Sequence, residues 1–333
     1  METVFISKLK PFLDAIAEQM DLYVPKKVGQ HFIYSKYDPS AGTTVEFNNI
    51  RTCTPIKEFL FPLCELAAVF PEPVEPEEIK PFAVFGLKDC DLRSIEILDK
   101  VFLEEEFEDP FYVTRREKMF IISSDCFEPG ESCCCDLFGG QPFAQSGFDL
   151  NVSKIRDGFI IEADSQKGQD FIQKHSQLFT DVPETLLAER DENRARTQKQ
   201  LEQNNAEYKL DAPVNEVIEN SADSDVFDIE SQKCVECQAC TRVCPTCHCF
   251  YLYDTKQKDY FSKMKMWDSC MRVGYAAVAG GENPRRMLDR YGIDMCVGCG
   301  RCIDADSHKM DIRVVLKKLN EELKDKPKAK IAK

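Results

Sequence analysis

The segment Cys-Val-Glu-Cys-Gln-Ala-Cys-Thr-Arg-Val-Cys-Pro (234–245) decides how the second half of this chain folds. Its cysteines, Cys234, Cys237, Cys240 and Cys244, have the spacing C-x2-C-x2-C-x3-C-P that binds cubane iron–sulfur clusters. Three thiolates on so tight a loop fit three corners of one [4Fe–4S] cube. Where two such clusters occur, the cysteine before the proline reaches the other cluster. The segment therefore predicts a second cysteine motif in the chain.

That second motif is Met-Cys-Val-Gly-Cys-Gly-Arg-Cys (295–302), in which Cys296, Cys299 and Cys302 repeat the C-x2-C-x2-C spacing. Asp306 stands where a fourth cysteine is expected. A zinc ribbon is disfavoured, because it would use two C-x2-C pairs without a third cysteine at the same spacing. The crossover between motifs predicts two [4Fe–4S] ligand sets: Cys234, Cys237, Cys240 and Asp306 for one cluster, and Cys296, Cys299, Cys302 and Cys244 for the other.

Asp306 is the unusual member of these sets. Its carboxylate offers oxygen, a harder donor than thiolate and a poorer match to iron–sulfur chemistry. Three cysteines that follow the first motif remain alternatives for the fourth ligand: Cys247, Cys249 and Cys270. A surface aspartate without a role is a further alternative, because Asp is commonly exposed.

Four further cysteines are expected to meet in the first half of the chain. Two short apolar runs are predicted to be buried strands: 81–87 and 118–124. Cys90 and Cys126 follow these runs, and adjacent parallel strands would bring both to one sheet edge, where α/β folds build sites. The next loop supplies Cys133 and Cys135. The group predicts a third cluster, with a zinc site or buried reduced thiols as alternatives. Cys53 and Cys64 are predicted to be small core residues.

Composition restricts the class of protein. The 333 residues allow two or three domains, and 17 cysteines without an apolar signal segment indicate a reducing, anaerobic cytoplasm rather than a secreted disulfide scaffold. The net charge of −15 argues against nucleic acid as a partner. No run approaches the roughly 18 apolar residues of a membrane span, so membrane insertion is not expected. No nucleotide-binding fingerprint occurs, so neither flavin nor NAD is expected in this chain.

The patterns predict an α/β N-terminal domain followed by a mostly α-helical two-cluster ferredoxin-like domain. The expected divisions are an α/β domain at 1–180, a charged helix and acidic linker at 181–231, the two-cluster domain at 232–318 and a basic tail at 319–333. In the first domain, Asp157-Gly158 predicts a hairpin turn, and Asp91 is the expected N-cap of a helix.

Longer segments resemble the family of iron–sulfur proteins typified by the sulfhydrogenase beta subunit and by a subunit of anaerobic sulfite reductase. The segments that carry the resemblance span most of the chain: 57–62, 85–95, 109–112, 146–150, 240–250, 267–271, 279–285 and 295–302. The sequence departs from the family pattern at Asp306-Ser307, where a cysteine and a proline are usual.

The resemblance implies a protein that relays electrons between a flavin/nicotinamide-binding subunit and a catalytic subunit. The catalytic partner would be of hydrogenase, sulfite reductase or heterodisulfide-reductase type. The alternative is a flavin- or substrate-binding iron–sulfur oxidoreductase with its own active site in the N-terminal domain. A regulatory iron–sulfur sensor is disfavoured, because no basic helix-turn-helix pattern appears.

Overall fold

A mixed sheet forms the centre of the first 180 residues. The computed structural model describes residues 2–40, 45, 51–71, 78–104, 108–256, 260–276, 295–308 and 310–325. The strands of the central sheet are β1 (Glu2–Ile6), β2 (Asp21–Val28), β3 (His31–Lys36), β5 (Phe82–Leu87), β6 (Met119–Ser124), β7 (Leu150–Ile155) and β8 (Gly158–Ala163). Their order is β1–β8–β7–β6–β5–β2–β3, and β2, β5, β6 and β7 run parallel to one another. The predicted α/β region is therefore confirmed as a mixed sheet with helices.

The two strands expected from apolar runs, β5 and β6, lie side by side in the middle of this sheet. Every residue of both strands is buried, as expected for parallel strands covered on both faces. The expected hairpin is also present, because β7 pairs antiparallel with β8 across the turn before Gly158.

Helices cover both faces of the sheet and create two cores. On one face, α1 (Leu9–Ala17) and α5 (Gln166–Lys174) pack on alternate strand residues such as Phe85. On the other face, α2 (Lys57–Leu60), α3 (Asp89–Phe102) and α4 (Pro110–Lys118) pack on residues such as Val84. Successive strand side chains point to opposite faces, so one apolar strand serves both cores.

The start of α3 differs from the prediction. Lys88, not Asp91, occupies the N-cap, and Asp91 is the third residue of the helix. The Asp91 carboxylate accepts the Lys88 backbone N–H at 3.0 Å and pairs with the buried Arg301 at 2.8 Å. A carboxylate in the first turn of the helix can do both, because it closes that turn while balancing the guanidinium charge.

A second sheet joins distant parts of the chain. It contains β4 (Cys64–Phe70), β9 (Phe250–Lys256) and β10 (Phe261–Trp267), and β10 lies between the other two strands. A mostly helical second domain is therefore not shown, because a hairpin occupies much of the described chain between the cysteine motifs. Residues 277–294, which include the segment 279–285 of the resemblance, lie outside the described residues.

The prediction that Cys53 and Cys64 are core residues is wrong, because both are exposed. Strand alternation in β4 turns Glu65 inward instead. There Lys265 and Arg115 pair with its carboxylate at 2.5 Å and 2.8 Å. The buried ion pairs determine which face of β4 points inward. Cys64 therefore lies on the outer face.

The charged helix expected after the first domain is α6 (Glu184–Asn204). The segment expected to be a linker contains two short helices, α7 (Val214–Glu219) and α8 (Val226–Ser231). Both pack against the C-terminal helix α11 (Ile312–Asp325), which continues past residue 318. No helix among the described residues is long and apolar enough to span a membrane.

Candidate metal centres

The two cysteine loops have the same backbone conformation. In the first loop, Glu236 and Gln238 have positive φ angles of 57° and 65°. In the second, Gly298 and Gly300 occupy the matching positions with 66° and 72°. The backbone N–H two residues after the first cysteine also donates to its sulfur, at 3.4 Å in the first loop and 3.3 Å in the second. Such N–H···S bonds help to set the potential of a bound cluster.

Each loop leads into a short helix, α9 (Ala239–Val243) or α10 (Arg301–Ala305), and the two helices pack together. Cys240 and Cys302 are the second residues of these helices. The repeat in sequence is therefore a repeat in structure, with the two loops facing one another.

A cavity of about 120 Å³ lies where the loops meet. Its apolar walls include Val235, Met271 and Ile312. Its candidate ligands are Cys234, Cys237, Cys240, Cys244, Cys247, Cys296, Cys302 and Asp306. Soft thiolate donors around an apolar cavity match the preference of iron–sulfur clusters.

Burial controls the protonation of Cys240 and Cys302. It raises the pKa of Cys240 to about 12 and the pKa of Cys302 well above the usual value. Without a cation, such crowded thiols stay protonated, whereas a coordinated metal deprotonates them. Cys244 behaves differently, because hydrogen bonding from Cys247 and the nearby Lys57 ammonium lower its pKa well below the usual value.

A second, smaller cavity of about 20 Å³ lies at the C-terminal edge of β5 and β6. The four cysteines expected to meet in the first half of the chain all line it: Cys90, Cys126, Cys133 and Cys135. Cys90 lies in the first turn of α3, and Cys126 comes just after β6. Burial raises the pKa of Cys126 to about 12 and the pKa values of Cys90 and Cys135 well above the usual value, so these three thiols also need a cation to ionise.

Cys299 belongs to the second loop but lines the smaller cavity. The two sites adjoin because the second loop packs onto the backbone of residues 132–134. The Cys134 N–H donates to Gly298 O at 2.9 Å. A Cβ atom added at Gly298 would lie 2.4 Å from Cys134 O, and one at Gly300 would lie 2.2 Å from Ser132 O. Glycine is required here for close approach as well as for positive φ.

The sequence profile of the 4Fe-4S dicluster domain matches residues 233–291, which include the first cysteine loop. The sulfhydrogenase 2 subunit beta of Pyrococcus furiosus is 31% identical over 94% of this chain and 96% of its own length. This chain belongs to the same family of iron–sulfur subunits. It is therefore an iron–sulfur electron-transfer protein with [4Fe–4S] clusters. No solved structure matches the chain.

In this family member, Asp306 follows α10 and lines the larger cavity. Its Oδ1 accepts the His308 N–H at 2.8 Å, and its Oδ2 accepts the Met310 N–H at 3.3 Å. These bonds hold the carboxylate in place, and each oxygen has a second lone pair for another partner. Of the alternative cysteines, Cys247 lines this cavity, and Cys249 and Cys270 are not among its described lining residues.

Two arginines beside the cysteines were missed by the sequence reasoning. Arg51 donates to the Cys133 sulfur at 2.9 Å and to Ser132 Oγ at 2.7 Å, and it pairs with Asp304 on α10 at 2.5 Å. The buried Arg301 donates to Thr52 O at 2.8 Å. No local pattern marks Arg51, because its partners lie about 80 and 250 positions away in sequence. The sequence does offer a signal for Arg301, because this arginine lies within the second cysteine motif.

A buried lysine ties the first motif to α2. The Lys57 ammonium donates to Thr241 O at 2.8 Å and to Cys247 O at 2.7 Å. It also lies 4.2 Å from the centre of the Trp267 ring. The first motif is therefore held by the N-terminal part of the chain as well as by its own helix.

Proposed function

We propose that this chain relays electrons through [4Fe–4S] clusters between a flavin/nicotinamide-binding subunit and a catalytic redox subunit. The catalytic subunit would be of hydrogenase, sulfite reductase or heterodisulfide-reductase type. The observation that carries this proposal is the adjoining of the two cysteine-lined cavities, with Cys299 reaching from the second loop to the smaller cavity. Clusters that lie next to one another suit the transfer of single electrons from one cluster to the next.

The proposed ligand sets follow the cysteine motifs of the sequence. One cluster takes Cys234, Cys237, Cys240 and Asp306; a second takes Cys296, Cys299, Cys302 and Cys244; a third takes Cys90, Cys126, Cys133 and Cys135. The shared loop conformation and the N–H···S bonds support the first two sets. The presence of all four cysteines in the lining of one cavity supports the third.

The protein's own part is to hold the clusters in apolar surroundings and to place charges beside them. Arg51 next to Cys133 and Lys57 next to Cys244 supply positive charge close to the proposed ligands. Each bound cluster would supply one-electron chemistry. Proton transfer and group transfer are not assigned to this chain, and neither flavin nor NAD is assigned to it.

Reduction of the purified, iron-loaded chain tests this role under anaerobic conditions. Dithionite is expected to bleach the cluster absorbance, whereas NADH and NADPH are expected to leave it unchanged. The reason is that a relay protein receives electrons only through a partner that binds the nicotinamide. Rapid bleaching by either nicotinamide in the isolated chain would contradict the relay and favour an N-terminal active site.

A further inference from the structure

A buried lysine, Lys88, lines the smaller cavity together with its cysteines. Lys88 follows β5 directly, occupies the N-cap of α3 and is only 1% exposed. Its ammonium donates to Ser124 Oγ at 2.8 Å and to Asp125 O at 3.2 Å. Both acceptors are uncharged, so these bonds leave the positive charge of the lysine unbalanced.

The carboxylates near Lys88 in the sequence and in the cavity have other partners. Asp125 and Asp91 are each paired with an arginine, at 2.7 Å and 2.8 Å. Asp89 lines the same cavity, and its Oδ2 accepts the Gln141 N–H at 3.2 Å. Among the residues that the structure describes, no carboxylate forms an ion pair with Lys88.

A buried ammonium without an anionic partner is unfavourable, because the charge loses its hydration and gains no Coulomb energy in return. The two hydrogen bonds do not explain the charge, since a neutral donor could make them without that cost. An ammonium also has three N–H donors, and the described part of the chain supplies acceptors for two of them. The arrangement therefore calls for an anion in the cavity beside Lys88.

Arg51, which also lines this cavity, differs from Lys88 in having a carboxylate partner. Its guanidinium pairs with Asp304 at 2.5 Å and donates to the Cys133 sulfur at 2.9 Å. Within the described lining of the cavity, Lys88 is therefore the cation whose charge the protein itself does not balance.

We propose that Lys88 is the counter-charge of an anionic cluster in the smaller cavity and donates its remaining N–H to it. This inference rests on the proposed function, in which Cys90, Cys126, Cys133 and Cys135 hold a third cluster. Four thiolate ligands outweigh the positive charge of the iron–sulfur core, so such a cluster is an anion, whereas reduced thiols would leave the cavity neutral. A fixed positive charge stabilises the more negative, reduced cluster, so Lys88 raises its midpoint potential.

The test is an anaerobic redox titration of the full-length, iron-loaded chain, followed by electron paramagnetic resonance, with iron analysis of each variant. Lys88→Met removes the charge at similar length and is expected to shift the midpoint potential of one cluster to more negative values. Lys88→Arg keeps the charge and is expected to shift that potential less.

Two controls separate the charge from its surroundings. Ser124→Ala removes one acceptor of the Lys88 ammonium but keeps the charge. Lys100→Met makes the same chemical change at an exposed position of α3. Both controls are expected to retain the potentials of the unaltered chain.

Unchanged potentials in Lys88→Met would overturn the proposal. An equal shift in Ser124→Ala would also overturn it, because the effect would then belong to the hydrogen bond and not to the charge. If Lys88→Met instead loses about four irons, retention of that iron by Lys88→Arg would support the need for a cation. Loss of the iron in both variants would overturn the proposal and assign Lys88 a packing role.

Iron analysis of the unaltered chain separates this result from the proposed function. About twelve irons with potentials that Lys88→Met does not change would refute the counter-charge and leave the three clusters in place. About eight irons in the unaltered chain would remove the third cluster itself, and the counter-charge with it.

Discussion

Arg51 contacts both parts of the proposed relay. Its guanidinium donates to the Cys133 sulfur and pairs with Asp304 on the helix that carries Cys302. The side chain is only 7% exposed, so solvent screens its charge weakly. A reduced cluster has one more negative charge than an oxidised one, so this guanidinium favours reduction.

Arg51→Gln is therefore expected to shift the midpoint potential of the proposed third cluster to more negative values. Arg51→Lys keeps a positive charge and is expected to shift it less. The measurement is a redox titration followed by electron paramagnetic resonance, with Arg156→Gln at an exposed site as the control. Equal potentials in all four proteins would show that Arg51 does not act on a cluster.

Asp306 is predicted to be the labile corner of the first cluster. Oxygen is a poorer donor to iron–sulfur centres than thiolate, so mild oxidation should convert that cluster to a [3Fe–4S] form. Asp306→Cys is expected to suppress the conversion, and Asp306→Ala is expected to promote it, as followed by electron paramagnetic resonance. If all three proteins respond alike, Asp306 is not a ligand, and Cys247 becomes the next candidate because it lines the same cavity.

At the scale of elements, the two cysteine loops share a backbone conformation but differ in the contacts that they make with the rest of the protein. Gly298→Ala is expected to destabilise the protein, because the αL conformation alone costs about 1–2 kcal/mol and the new Cβ would meet Cys134 O. The matched change Glu236→Gly is expected to be neutral or stabilising, since Glu236 adopts the same φ on an exposed loop. Denaturant midpoints under anaerobic conditions measure both effects. Equal midpoints for the two variants would contradict the packing role of the glycine.

The sequence was sufficient where a local pattern determines the structure. The apolar runs of β5 and β6 predicted two buried strands, and their adjacency explains why Cys90 and Cys126 line one cavity. The turn before Gly158 likewise predicted the β7–β8 hairpin.

Elements stabilised by distant partners were missed. β4 and β10 pair across about 200 positions of sequence, and buried ion pairs at Glu65 replace the usual apolar pattern. α7 and α8 contribute only a few apolar residues each, such as Val217 and Phe227, within an acidic segment. Their stability comes from packing on α11, which local periodicity does not reveal.

At the scale of the whole molecule, Trp267 joins the second sheet to the core around α3. It is 6% exposed, and its indole N–H donates to Phe61 O at 2.9 Å. Trp267→Ala is expected to lower the free energy of unfolding by about 3–5 kcal/mol, the usual cost of removing a large buried aromatic side chain. Thermal denaturation monitors the change, with Tyr260→Ala at a 44% exposed position as the control. Similar losses of stability in both variants would contradict the role of Trp267 at this junction.

Iron content tests the central claim of three clusters most directly. Anaerobic iron and sulfide analysis of the full-length chain is expected to give about twelve irons, four for each cluster. Cys90→Ser and Cys126→Ser are each expected to lower the value to about eight, whereas Cys53→Ser should leave it unchanged. About eight irons in the unaltered chain, with no loss in either ligand variant, would remove the third cluster. Bound zinc with almost no iron would contradict the whole account.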